Sequence, residues 1–279
     1  MGGQMMVQGK LPDAATSVYG VIGDPISHSL SPVMHNAAFS HIGYNGVYLA
    51  FQVIDVEAAI SGMRALGIRG LSVTIPHKVS VMAFLDSVDD IAQKIGAVNT
   101  VVSRDGVLIG YNSDCLGAIR ALSEKTEIQG REVGIIGAGG AARAIGFGIC
   151  AEHGQLTIVN RSHDKGEKLA KELDADFLPL SDLDRLRCQI LINTTSLGMT
   201  PSMQTTPVPK KYLEKDMVVM DIVYNPLKTL LLKDAESLGC TTVDGVEMFV
   251  YQGAFQFEQW TGKEASVDVM RKAVLDAFK

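Results

Sequence analysis

The chain has 279 residues, 47% of them hydrophobic and 20% charged, with a formal net charge of −6. That apolar content supports a sizeable core and excludes a disordered chain, and the length suits two domains at least as well as one. Scattered Lys and Arg give no basic track for a nucleic-acid backbone, and no apolar run approaches the roughly 18 residues of a membrane span. The expectation is a soluble protein with small-molecule partners, neither nucleic acid nor membrane.

Met1 to Met6 lack a secretory pattern and read as a disordered leader. Periodicity then predicts a strand over 18–22, a helix over 32–42, a strand over 47–51 and a helix over 56–66 stopped by Gly67. Within that helix Val56, Ala59, Ile60, Met63 and Leu66 form one apolar stripe. A strand over 71–75 ends at Pro76, helical patterns run to Ile95, and strands over 98–102 and 107–109 flank a hairpin turn at Arg104-Asp105-Gly106. A helix from Ser113 or Asp114 to Ser123 leads into a second series, with strands over 133–136, 156–159, 189–192 and 217–222. The Pro-rich stretch 200–210 reads as a loop inside that series, and helices over 245–260 and 266–278 close the chain. The alternation predicts an α/β fold of two domains with mostly parallel sheets. Residues 1–113 with 249–279 make one domain, and 114–248 make a Rossmann-type nucleotide-binding domain.

The most specific local signal is Gly137-Ala138-Gly139-Gly140-Ala141-Ala142, between a predicted strand and a predicted helix. Glycines there permit a tight turn and close approach to a pyrophosphate, which the helix N-terminus then binds through free N–H groups. Taken alone, Gly and Ala also make ordinary turns. An NAD site usually carries Asp or Glu about 20 residues on. Here the next strand ends in Asn160-Arg161-Ser162, a cation and no acid, which favours NADP. Cys115, Cys150, Cys188 and Cys240 lack zinc spacing and read as small core residues in a reducing cytoplasm, with no metal site.

Three further polar segments stand at predicted strand ends: Gly23 to Pro32 with hydroxyls at 27, 29 and 31, Ser72 to Lys78, and Gly96 to Thr100. A fourth, Gly110 to Asp114, opens a helix. Singly they have plain readings. Ser31-Pro32 is an N-cap and first-turn pair, Lys78 a solvated charge, Asn99 and Asp114 turn or cap residues.

Taken together with 137–142, 160–162, 193–198 and 245–252, these segments resemble the shikimate dehydrogenase family in order and spacing over nearly the whole chain. The resemblance implies reversible reduction of 3-dehydroshikimate to shikimate by NADPH, with a cleft between a substrate domain and a nucleotide domain. It implies Lys78 and Asp114 as the catalytic pair. Ser29 and Ser31 would hold the carboxylate, Thr74, Asn99, Asp114 and Gln252 the ring hydroxyls, with Tyr224 beside them. For the cofactor it implies Gly137, Ala138, Gly139, Gly140 and Ala141, then Asn160, Arg161, Ser162 and Lys165 at the ribose phosphate. Thr194, Ser196, Met199, Ile222, Gly245 and Met248 would lie at the nicotinamide half, although the apolar ones also suit core packing. Monomer and homodimer both stay open. Ser72 stands where Asn is common, Ser113 where Thr is usual, and Lys165 where a second Arg is common. A quinate or shikimate dehydrogenase using NAD, and a non-catalytic sensor of such metabolites, are the competing readings.

Overall fold

The computed structural model describes residues 11–279, so the expected leader at Met1 to Met6 lies outside the described residues. In chain order the first elements are β1 (Ser17–Gly23), α1 (Ser31–His41), β2 (Gly46–Gln52), α2 (Val56–Ala65), β3 (Gly70–Val73), β4 (Ser87–Val88), α3 (Asp90–Ile95), β5 (Thr100–Arg104) and β6 (Val107–Tyr111). They continue with α4 (Ser113–Ser123), β7 (Glu132–Ile136), α5 (Gly140–Ala151), β8 (Gln155–Asn160), α6 (His163–Glu172), β9 (Asp176–Pro179) and β10 (Ile190–Asn193). The last are β11 (Val218–Asp221), α7 (Leu230–Ser237), β12 (Thr241–Val243), α8 (Gly245–Thr261) and α9 (Val267–Asp276). Two compact units result: residues up to Ser113 with Gly253–Lys279, and Asp114–Gln252. Residues 249–252 pack with the second unit, and α8 contributes to both.

The first unit is a six-stranded sheet in the order β2-β1-β3-β5-β6-β4. β1 pairs in parallel with β2 and β3, and only β5 runs against its neighbours. The β5–β6 hairpin closes through Asp105-Gly106, both at positive φ, with Arg104 opposite Val107. One face of the sheet buries Ile22, Leu71, Val73, Val101 and Leu108 with Ile60 and Met63 of α2. Asp55 caps α2 by accepting from Ala58 N (3.0 Å). The stripe expected on that helix stops at Met63. Leu66 falls one residue past the helix, where Gly67 at φ 66° turns the chain, and is 77% exposed.

The helical pattern expected through Ile95 resolves into a 3₁₀ turn over Ser80–Phe84, the two-residue β4, and α3. Across the sheet an aromatic group joins Tyr19, Phe39, Tyr48, Phe257 and Trp260, and Trp260 Nε1 donates to the Val101 carbonyl (3.0 Å).

The second unit is an all-parallel sheet in the order β12-β11-β10-β7-β8-β9. Numbered from β7, that is the doubly wound order 6-5-4-1-2-3, in which ligands bind where the order reverses, at the C-terminal ends of β7 and β10. Apolar strands such as Ile190–Asn193 and Val218–Asp221, buried throughout, are what a sheet covered on both faces requires. The edge strands β9 and β12 were not among the expected elements. Residues 200–210 form the loop between β10 and β11, as expected. Among the described residues no helix is long and apolar enough to cross a membrane.

Candidate active site

In the first unit Ile22 of β1 lies opposite Val73 of β3, so the segments after both strands leave the same sheet edge. β5 begins there too, with Thr100 opposite Ser72, which brings Asn99 to that edge. The unit thus gathers Ser29, Ser31, Thr74, Lys78 and Asn99 along one edge. Thr74 and Lys78 sit on a turn pinned at several points. Thr74 N donates to Ile22 O (3.0 Å), His77 N to Thr74 O (2.9 Å), and Val98 N to Lys78 O (2.8 Å). The buried His77 ring bonds the Val53 carbonyl through Nε2 (2.7 Å).

Ser31 does not have the N-cap role expected of it. Leu30 occupies that position without a side-chain cap, and Ser31 is the first residue of α1, buried, with its N–H donating to Ser29 Oγ (3.3 Å). Pro32 in the first turn needs no acceptor for an amide proton it lacks, which lets the helix start this early.

Behind the edge runs a buried hydrogen-bond chain whose proton directions are fixed. Tyr48 Oη donates to Ser72 Oγ (2.6 Å) and Ser72 donates to Gln256 Oε1 (2.8 Å). Gln256 Nε2 reaches Thr100 Oγ1 (3.0 Å), Ser113 Oγ (3.3 Å) and Asn99 O (3.3 Å). Asn99 Oδ1 then receives Thr100 Oγ1 (2.8 Å), Ser113 N (2.7 Å) and Ser113 Oγ (3.0 Å). With its oxygen saturated inside the protein, the amide group Asn99 has to offer a ligand is its NH₂. The hydroxyl of Ser72, which stands where Asn is common, is spent on Tyr48 and Gln256.

Tyr48 and Gln256 were missed in the sequence. Burial raises the Tyr48 phenol well above its usual range, so it stays a donor. His35, stacked on Tyr48 at 4.4 Å, is fully buried, and that burial lowers its pKa to about 3, keeping the ring neutral.

The second unit holds Asp114, in the first turn of α4, with Tyr224, Gln252 and all the candidate cofactor residues. Gln252 Nε2 donates to Phe249 O (2.9 Å), and the Tyr224 ring stacks on Phe249 at 5.0 Å, where burial raises its phenol. At the reversal point Gly137 has φ 118°, and a Cβ there would lie 2.5 Å from Thr194 Oγ1, whose hydroxyl donates to Ile136 O (2.7 Å). Only glycine fits. Gly139 precedes α5 and offers no side-chain cap, so the first-turn amides of that helix keep their donors for an anion.

At the end of β8, Asn160 Nδ2 donates to Ser162 O (2.8 Å), closing the turn that carries the exposed Arg161; Lys165 lies exposed in the first turn of α6. Gly245 opens α8 against the chain after β11, where a Cβ would come within 2.6 Å of Ile222 O. A glycine cradle, an uncapped helix start and an exposed guanidinium fit a phosphorylated dinucleotide. Asp221, at the end of β11, was not singled out in the sequence, and Asn193, at the end of β10, entered only as the first residue of the 193–198 segment. The available signal was a carboxylate inside an apolar strand.

None of the four cysteines forms a disulfide. Burial pushes the Cys115 and Cys188 thiols up, to about 11 and about 12, which makes them poor nucleophiles. Among the described residues no group of three or more His, Cys, Asp or Glu could hold a metal ion.

A two-unit α/β chain with a doubly wound nucleotide-binding sheet is a broad class, and comparison with known proteins narrows it. Residues 21–101 match the shikimate dehydrogenase substrate binding domain, 120–226 the shikimate / quinate 5-dehydrogenase family, and 245–275 the shikimate 5'-dehydrogenase C-terminal domain. A shikimate dehydrogenase (NADP(+)) from Thermococcus kodakarensis is 49% identical over 273 residues, covering 96% of this chain and 99% of that one. A crystal structure of a shikimate dehydrogenase in complex with NADP+ is 45% identical, with a TM-score of 0.92 over 98% of this chain and 99% of the other. A shikimate 5-dehydrogenase from Listeria monocytogenes, in complex with shikimate and NAD, is 38% identical with a TM-score of 0.90, covering 95% and 98%. The chain belongs to the shikimate dehydrogenase family.

Proposed function

We propose that this chain catalyses the reversible reduction of 3-dehydroshikimate to shikimate with NADPH, the reaction its relatives are named for, in aromatic amino-acid biosynthesis. The first unit binds the substrate and the second binds NADP. The observation that carries the reading is the set of donors along one edge of the first sheet: two serine hydroxyls, Thr74, the Lys78 ammonium and an Asn99 amide whose oxygen is already used. Such a set suits a ring bearing a carboxylate and several hydroxyls.

In this reading Ser29 and Ser31 donate to the carboxylate, while Thr74, Asn99 and Gln252 orient ring hydroxyls, with Tyr224 beside them. NADPH, when bound, supplies the hydride to the ring ketone carbon. Lys78 stabilises the negative charge developing on the carbonyl oxygen and gives it a proton, and Asp114 orients that ammonium and the adjoining hydroxyl. In the reverse direction Lys78 takes the hydroxyl proton. Gly137, Ala138, Gly139, Gly140 and Ala141 hold the pyrophosphate. Arg161 pairs with the ribose phosphate, helped by Asn160, Ser162 and Lys165. Thr194, Ser196, Met199, Ile222, Gly245 and Met248 line the nicotinamide half. Four unbridged cysteines suit a reducing cytoplasm, where the enzyme works as a monomer or homodimer.

Purified protein given shikimate or quinate with NADP⁺ or NAD⁺ tests this directly. Shikimate with NADP⁺ is expected to be the most efficient pair. A clear preference for quinate or NAD⁺ would move the chain to the competing specificity, and silence with every pair would reject the enzyme.

A further inference from the structure

β10 and β11 are parallel neighbours in register, with Asn193 opposite Asp221 as the last residue of each. Asp221 is fully buried and has no part in the chemistry above. Its carboxylate gathers three donors: Asn193 Nδ2 (2.9 Å) and Val223 N (3.1 Å) on Oδ1, and Thr229 Oγ1 (2.6 Å) on Oδ2. Asn193 turns its other face to the next loop. Its Oδ1 accepts from Thr195 N (2.9 Å) and Thr195 Oγ1 (2.8 Å), and its Nδ2 also reaches Leu197 O (3.4 Å).

The two segments after the strands, 194–199 and 222–224, therefore share one buried carboxylate as their anchor. A buried charge is expensive, and an apolar residue would pack as well in a strand. What the carboxylate alone supplies is an acceptor for three donors arriving from three directions. Burial raises its pKa to about 6 against the pull of those three hydrogen bonds, so at neutral pH it is held ionised under strain of solvation.

We propose that Asp221 is a positioning residue for the nicotinamide half of the cofactor. Through Asn193 it sets the backbone of 194–199, and through Val223 and Thr229 it sets 222–224. The inference rests on the functional reading above, which assigns Thr194, Ser196, Met199 and Ile222 of those segments to that half and sets Tyr224 beside the substrate. Asp221 touches neither cofactor nor substrate in this account.

Two ligands separate positioning from general upkeep of the fold. NADP⁺ uses both halves of the site, whereas 2′,5′-ADP uses only the adenosine and ribose-phosphate half around Arg161. For Asp221→Ala we expect NADP⁺ binding, measured by calorimetry, to weaken by about tenfold or more, while 2′,5′-ADP binding changes by less than about twofold. Asp221→Asn keeps the shape and an acceptor for Asn193 and Val223 but places an NH₂ against the Thr229 hydroxyl. Its loss should be smaller, about threefold, with 2′,5′-ADP again unaffected. Should the Ala variant fail to fold, the Asn variant carries the same comparison. Unchanged NADP⁺ binding in both, or equal weakening of both ligands, overturns the proposal while leaving the enzyme reading intact. Wild-type protein that binds neither ligand overturns both.

Discussion

Replacing Gln256 by Leu probes the hydrogen-bond chain that fixes Asn99. Gln256 is 1% exposed, and Leu keeps much of its volume while removing every polar atom. The Ser72 hydroxyl, itself buried, then has no acceptor, which costs about 1–3 kcal/mol. Thr100 and Ser113 still donate to Asn99 but each loses an accepted bond, about 0.5–1 kcal/mol apiece. Apolar transfer of the new side chain returns part of this, leaving an expected loss of about 2–4 kcal/mol.

The chain has one tryptophan. Trp260 belongs to the first unit, 5.8 Å from the Tyr48 ring, so its fluorescence during urea unfolding reads that unit without assuming that both units melt together. With Gln256 gone from the Asn99 carbonyl and from behind Thr100 and Ser113, a looser Asn99 should also raise the shikimate KM by about tenfold, equivalent to about 1.4 kcal/mol. An unchanged urea midpoint together with an unchanged KM would show that Gln256 neither stabilises the first unit nor holds Asn99 in place.

Gln256→Glu sharpens the test, because a carboxylate facing Thr100 and Ser113 must carry a proton to replace the lost NH₂. Burial raises its folded pKa above the unfolded value near 4.3, so the variant should be destabilised at neutral pH and recover as pH falls through that raised value.

Arg161→Ala should raise the NADP⁺ KM by roughly 10–150-fold, the worth of about 1.5–3 kcal/mol for hydrogen bonds to a charged group, with the NAD⁺ KM nearly unchanged; equal losses for both cofactors would argue against its assignment. Gly245→Ala forces a Cβ to within 2.6 Å of Ile222 O, so kcat should fall and the melting temperature drop by several degrees, on the order of 1–3 kcal/mol of overpacking. For Asp221 the folded pKa, about 6, exceeds the unfolded 3.8, so between those values the folded protein binds more protons than the unfolded chain. Its contribution should therefore destabilise the second unit as pH rises through 6. Amide exchange in β10 and β11, corrected for intrinsic rates, should be slower at pH 5 than at pH 7 in the wild type by a margin that Asp221→Asn abolishes.

Much of the fold was readable because long elements carry a period. β1, α5 and β8 have enough residues for the alternation or the helical stripe to stand out, and the glycine turn announces its own strand and helix. β4, β9 and β12 have two to four residues, too few for any period, and their pairing is decided by neighbours distant in sequence. Leu66 misled because a stripe says nothing about where Gly67 will turn the chain. At the site, residues expected to face a ligand carried motif signals, whereas Tyr48, Gln256 and Asp221 act on other side chains. Ser72 shows the limit most clearly: the sequence marked it only as standing where Asn is common, whereas its hydroxyl is committed to partners 24 and 184 residues away.

In the proposed function Lys78 serves the proton-transfer step of a shikimate oxidation linked to NADP⁺. The most direct measurement pairs NADPH formation from shikimate with direct shikimate binding, in wild-type protein and in Lys78→Met. Turnover is expected in the wild type, with a kcat lower by about 10²–10⁴-fold in the variant and shikimate affinity within about tenfold. Full turnover without the Lys78 ammonium, or a wild-type protein that binds shikimate and never forms NADPH, would contradict that function.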